Sequence, residues 1–220
     1  MAAPRTNQRE GVGDDGDRTA LVRRGQRLSR ISLGYNGFEG VASIVAGALA
    51  GSVSLVGFGV DSMIELTSSA ASLWRLGSDK DAETREHAER ITLRIVGSCF
   101  IALAIYIAID AVHALWMREA PERSVAGIVI AALSVVIMPL LARRKRAVAV
   151  ALGSRALVAD AAQADLCMYL SAIVLGGLML NALLGWWWAD PLAALAMVPI
   201  IAKEGVEGLR GEPPCDACGT

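Results

Sequence analysis

The chain has 220 residues, is 54% hydrophobic with a mean hydropathy of +0.47, and carries a formal net charge of −1. Soluble domains are roughly 45–50% apolar; here the excess is gathered into blocks parted by charged stretches, which is the pattern of a membrane protein. A nucleic-acid-binding function is excluded, because no basic surface interleaved with aromatics is present. Ordinary enzyme chemistry also lacks a foothold, with no nucleophile–base constellation and no phosphate-binding glycine loop.

Residues 1–30, rich in Arg, Asp, Gly and Gln, lack the apolar core of a secretory signal and read as a disordered cytoplasmic tail. The first predicted span, 31–50, is ISLGYNGFEGVASIVAGALA and ends in a tight turn at Gly51–Ser52. Its small residues, among them Gly34, Gly37, Gly40 and Gly47, permit close helix contact. Asn36 and Glu39 lie three apart in its cytoplasmic third; Glu39 is a candidate for the ion path, and a snorkelling or capped polar pair is the competing reading.

The second span, 53–74, is the one the rest of the chain is organised around. It is long enough and apolar enough to cross a bilayer, which takes about 20 residues, yet it carries Asp61 and Glu65. A carboxylate at bilayer depth costs roughly 2.5–3.5 kcal/mol on insertion scales, so two of them need a reason. Spacing i, i+4 puts both on one helical face. Hydrogen bonding to a neighbouring helix is one reason; binding a cation inside the membrane is the sharper one.

A charged loop, 75–90, leads to a third span, 91–117. Near the far end of that span stand Asp110 and His113, where a polar pair is easily hydrated and a structural role is expected. A fourth span covers 125–142 and contains Pro139; it is followed by the run RRKR, 143–146, and an amphipathic lead-in over 147–155. The fifth span runs over 156–184 and the sixth over 191–207, with Trp186, Trp187 and Trp188 between them as an interfacial belt. Six spans with the basic residues of the tail, of 75–90 and of RRKR on one side, against Arg118 and Arg123 on the other, place both termini in the cytoplasm. The expected fold is therefore an all-α membrane protein with six transmembrane helices, organised as a tail (1–30), a membrane domain (31–207) and a short cytoplasmic tail (208–220).

On the fifth span Asp160, Gln163 and Cys167 share a face, at i, i+3 and i+7, while Asp165 points elsewhere. Facing Asp61 and Glu65, Gln163 and Cys167 complete a four-donor cage of two carboxylates, an amide oxygen and a thiol. Such a set suits Zn²⁺ or a softer divalent metal. Each donor has a structural alternative: a small apolar core residue for Cys167, an interhelical hydrogen-bond donor for Gln163. Cys215 and Cys218 form a CxxC at chelating spacing in the last residues, a second and weaker candidate for metal capture. Together with Cys99 and Cys167 they do not resemble a secreted disulfide framework.

The second span, AGSVSLVGFGVDSMIEL, and the opening of the fifth, ALVADAAQADLC, resemble the cation diffusion facilitator (cation efflux) family over about residues 31–207. The resemblance implies two helices that each donate ligands at i, i+4. Asp61 falls on the first ligand position of the second helix and Glu65 on the second as a conservative change. On the fifth helix Gln163 falls where the family has histidine and Cys167 where it has aspartate, with Asp160 the preceding acid; Asp110 falls where an acid often lies late in the third helix. Gln163 cannot titrate and is a weak zinc ligand, a departure from the pattern. The family likeness further implies a short variant without the soluble C-terminal domain, any homodimer then being made by membrane helices. No permanently bound cofactor is expected, only the transported metal; partners are metal cations, protons and the lipid bilayer, in a bacterial inner membrane. Two readings compete with transport: a membrane metal sensor or scaffold that does not translocate, and a thiol redox protein built on Cys215 and Cys218.

Overall fold

The computed structural model describes residues 11–77, 82–118 and 121–210. These form six helices and no strand: α1 (Gly11–Ala50), α2 (Val53–Gly77), α3 (Ala82–Met117), α4 (Val125–Leu152), α5 (Arg155–Leu184) and α6 (Ala189–Arg210). The all-α membrane architecture expected from the sequence is therefore present, and three stretches, Arg94–Met117, Val125–Leu152 and Asp160–Leu184, are long and apolar enough to cross a bilayer on composition alone. The helices at the outer surface show side chains to lipid: Phe38 is 70% exposed, Leu49 78% and Leu183 72%. Polar groups go inward instead, the reverse of a soluble bundle.

Two boundaries differ from the sequence expectation. Residues 11–30 are not a disordered tail but the first half of α1, which at 40 residues is about 60 Å long at 1.5 Å per residue. The run Arg143–Arg146, expected beyond the end of the fourth span, lies inside α4, which continues to Leu152. The signal for the true connection is Gly153–Ser154. Gly153 adopts the left-handed conformation, φ 60°, and its N–H is donated to the last carbonyls of α4; the Ser154 hydroxyl accepts from the Leu157 N–H at the start of α5. A glycine stop followed at once by a serine start joins the two helices with no slack.

One end of the bundle gathers the Ser29 turn of α1, the Ser69 turn of α2, the Lys145 turn of α4 and the start of α5, linked through Asp160. The other end ties α2 to α6: Ser52 Oγ and Ser54 Oγ both donate to the Asp190 carboxylate, the former at 2.7 Å. There too Asn181 of α5 donates to the Pro121 carbonyl at 3.0 Å, and the Glu122 N–H to the Ala50 carbonyl at 2.7 Å. The Trp186 and Trp188 rings stack at 4.9 Å beside this end, where the aromatic belt was expected.

Glycines set how closely the helices approach. A Cβ on Gly40 would lie 3.1 Å from the Gly59 carbonyl oxygen, and one on Gly59 2.8 Å from the Ile44 nitrogen, so α1 and α2 pack backbone against backbone. At the α3–α6 contact a Cβ on Gly97 would come within 2.6 Å of the Leu209 nitrogen. Backbone cannot yield as a flexible side chain does. Gly97→Val is therefore expected to lower stability by about 1–3 kcal/mol, whereas Gly34→Ala, whose Cβ meets nothing within 4 Å, leaves it unchanged or slightly raised; thermal unfolding of the purified protein in detergent checks both.

Candidate metal site

A stripe of polar residues runs down α1: Ser29, Ser32, Asn36, Glu39 and Ser43, all at most 1% exposed. Their spacing alternates three and four, which keeps them on one helical face. Opposite, α2 presents Asp61, Ser62, Glu65 and Ser69, likewise buried. The seam between the first two helices is thus lined with carboxylates and hydroxyls inside an apolar bundle.

At its centre is Glu39. Its Oε2 accepts from Ser62 Oγ at 3.0 Å and from the Cys167 thiol at 3.7 Å, and Cys167 Sγ in turn lies 4.0 Å from Ser134 Oγ of α4. Tyr35 stands beside the same carboxylate. Glu65 and Asp61 are close enough to act electrostatically on the Cys167 thiol. Four helices therefore converge: Glu39 from α1, Asp61 and Glu65 from α2, Ser134 from α4 and Cys167 from α5.

Much of this cluster is unsatisfied. Both carboxylate oxygens of Glu65, Oε1 of Glu39, both amide atoms of Asn36 and the hydroxyls of Ser32 and Ser43 are buried without a hydrogen-bond partner. Asn36 faces Glu65 across the α1–α2 seam, yet neither group reaches bonding geometry. Leaving a buried polar group unpaired costs about 1–3 kcal/mol, and more for a charged one. Such a concentration in one place points to a ligand chemistry able to satisfy several oxygens together. In the present conformation no three His, Cys, Asp or Glu side chains among the described residues are gathered tightly enough to chelate an ion. Closing on one requires rotamer change or helix movement.

The sequence candidates separate accordingly. Asp61, Glu65 and Cys167 share the cluster; Gln163 is half-buried one turn before Cys167 on α5. Asp160 is buried but engaged elsewhere, in an ion pair with Lys145 at 3.0 Å and accepting from Ser69 at 2.7 Å. Asp165 points away, as expected, and pairs with Arg146. Asp110 accepts from Tyr106 of its own helix at 3.4 Å, and His113 is exposed, both away from the cluster on α1, α2 and α5. Cys215 and Cys218 lie outside the described residues. What sequence reasoning underrated is Glu39, together with the serines around it; the three–four polar period in the otherwise apolar second half of α1 was the signal. A crevice of about 320 Å³ between α5 and α6, lined in part by Asp165, Tyr169, Lys203 and Glu204, lies in the first half of α5 and the second half of α6, and Glu204 is in electrostatic reach of Asp61.

Burial separates the two described thiols. With Cys215 and Cys218 replaced by serine, N-ethylmaleimide is expected to modify Cys99, on the bundle surface, well before the buried Cys167, which stays intact until the protein is unfolded; mass spectrometry of the labelled chain checks this.

A protein from Xenopus laevis, transmembrane protein 163, is 31% identical over 133 residues, an alignment that takes in 60% of this chain and 47% of that protein. The chain thus matches about half the length of this curated relative. The sequence model of the cation efflux transmembrane domain matches residues 29–211, from the foot of the α1 polar stripe to the end of α6. This integral membrane protein belongs to the cation efflux family.

Proposed function

We propose that the chain carries a divalent metal cation across the membrane through the cluster of Asp61, Glu65, Glu39 and Cys167, with Gln163 as an oxygen donor one turn away. The observation that carries this reading is the set of buried, unpartnered oxygens of Glu65 and Glu39 beside Asp61 and a buried thiol. Carboxylates satisfy hard cations, and one thiolate among them tilts the preference towards Zn²⁺, Cd²⁺ or another borderline-soft ion. Gln163 offers only a neutral amide oxygen; the third acid comes from α1.

Metal can bind only where these ligands have lost their protons, so metal and protons compete for one site. Proton antiport follows: a site that opens to the cytoplasm loads metal, and the same site opened to the far side trades it for protons. The α5–α6 crevice supports a cytoplasmic entrance, with Glu204 as an acidic guide towards Asp61. Family membership favours export from the cytoplasm as the direction. Movement between the two openings is rocking of packed helices around a fixed site.

Reconstituted in vesicles with an imposed pH gradient, the protein is expected to move Zn²⁺ or Cd²⁺, and Asp61→Ala to abolish the movement. Glu39→Gln, which removes a charge but keeps an oxygen, is expected to weaken binding by at least about tenfold, the lower end of the loss seen when a partner that only orients a metal ligand is removed. Affinity falls as pH is lowered, because protonation removes the ligands. Flux that persists in Asp61→Ala would refute the reading; stoichiometric binding without flux would replace it with a membrane metal sensor.

A further inference from the structure

Lys145 is fully buried, at 0% exposure, in the second half of α4. Its ammonium lies 3.0 Å from Asp160 Oδ1 of α5 and donates to Ser69 Oγ of α2 at 3.5 Å. Ser29 of α1 also reaches Asp160, at 3.4 Å. Every member of this network is one to three helical turns cytoplasmic of the metal cluster on its own helix: Ser69 is four residues past Glu65, Lys145 eleven past Ser134, Asp160 seven before Cys167 and Ser29 seven before Asn36. The Lys145 charge is within electrostatic reach of Glu65.

A buried ion pair is a poor way to gain stability, since hydrophobic residues of similar volume serve as well or better. An ammonium is also the one group a cation site should avoid, because it repels the cargo. The charged groups it meets are acidic: Asp160 at 3.0 Å, and Glu65 within electrostatic reach. The lysine stem is flexible, with a compact charge at its tip, and a single serine separates that tip from the turn that holds Glu65.

We propose that Lys145 is a tethered counter-cation: held by Asp160 and Ser69 one turn from Glu65, it offsets the cluster's negative charge and sets how tightly the divalent cation is bound. A carrier must release what it binds, and a fixed positive charge beside the cage weakens the bound state without removing a ligand. Asp160 has the opposite duty: it holds the ammonium back from Glu65. This inference rests on the cluster being the metal site.

The two ends of the pair therefore have opposite effects. Titrated with Cd²⁺ by calorimetry on the purified full chain, Lys145→Gln is expected to bind on the order of tenfold more tightly than wild type, and Asp160→Asn on the order of tenfold more weakly. Lys145→Arg, which keeps the charge, stays within about threefold of wild type. A pair that served only to tie the helices together would move both variants in the same direction. Should Lys145→Gln fail to fold, Lys145→Gln/Asp160→Asn leaves no unpaired buried charge, and it must bind more tightly than Asp160→Asn alone. Equal affinity in that comparison, or shifts of the same sign in the two single variants, overturns the counter-cation role while leaving the metal site standing. Wild type that binds no Cd²⁺, or Asp61→Ala that binds it as well as wild type, removes both.

Discussion

Within a bilayer no water is available to satisfy a polar side chain, so every buried oxygen must find a partner among its neighbours or remain unpaired. The seam between α1 and α2 answers this constraint only in part. Ser62, Cys167 and Glu39 satisfy one another, and Ser52 and Ser54 satisfy Asp190, while Glu65 and Asn36 are left over. Asp160 and Asp190 are satisfied at the two ends of the bundle, whereas Glu65, Asn36 and one oxygen of Glu39 stay unpartnered in the seam between them. That partition separates the contacts that tie the helices together from the groups left unpaired between them.

The glycines make the seam possible. Gly40 and Gly59 bring the α1 and α2 backbones into direct contact, which sets the carboxylates of Glu39, Asp61 and Glu65 along one seam within electrostatic reach of one another. Like charges at such spacing in a medium of low dielectric are tolerated only with compensation by cations, protons or an internal positive charge. The family to which the chain belongs, the acidic seam and the buried lysine beside it are three aspects of the same electrostatic problem.

Much of the architecture was legible in the sequence because membrane helices announce themselves by length and apolarity. The α2 pair Asp61 and Glu65 was equally plain, since carboxylates in an apolar run have few harmless explanations. The α1 contribution was harder to see. Serines are common in membrane helices, and Glu39 near the cytoplasmic third has a ready snorkelling alternative; only the packing of α1 on α2 turns its polar stripe inward. Lys145 was concealed by company: inside RRKR it looks like one more solvated base, and the extent of α4 is what carries it into the bundle while Arg143 and Arg144 remain exposed. The beginning of α1 was misjudged for a related reason, because its charged and glycine-rich composition disfavours a packed core without forbidding a helix that continues a membrane span.

The two-residue link at Gly153–Ser154, capped on both sides, denies α4 and α5 any independent sliding. Cys167, Asp160 and Lys145 consequently travel as passengers on one rigid hairpin, while Glu39, Glu65, Ser29 and Ser69 ride on the other, joined through the Gly51–Ser52 turn. Any divergence of the two hairpins must stretch the thiol–carboxylate contact and the serine contacts to Asp160 in a single stroke, so the acidic cluster and the Asp160 clasp share one mechanical degree of freedom.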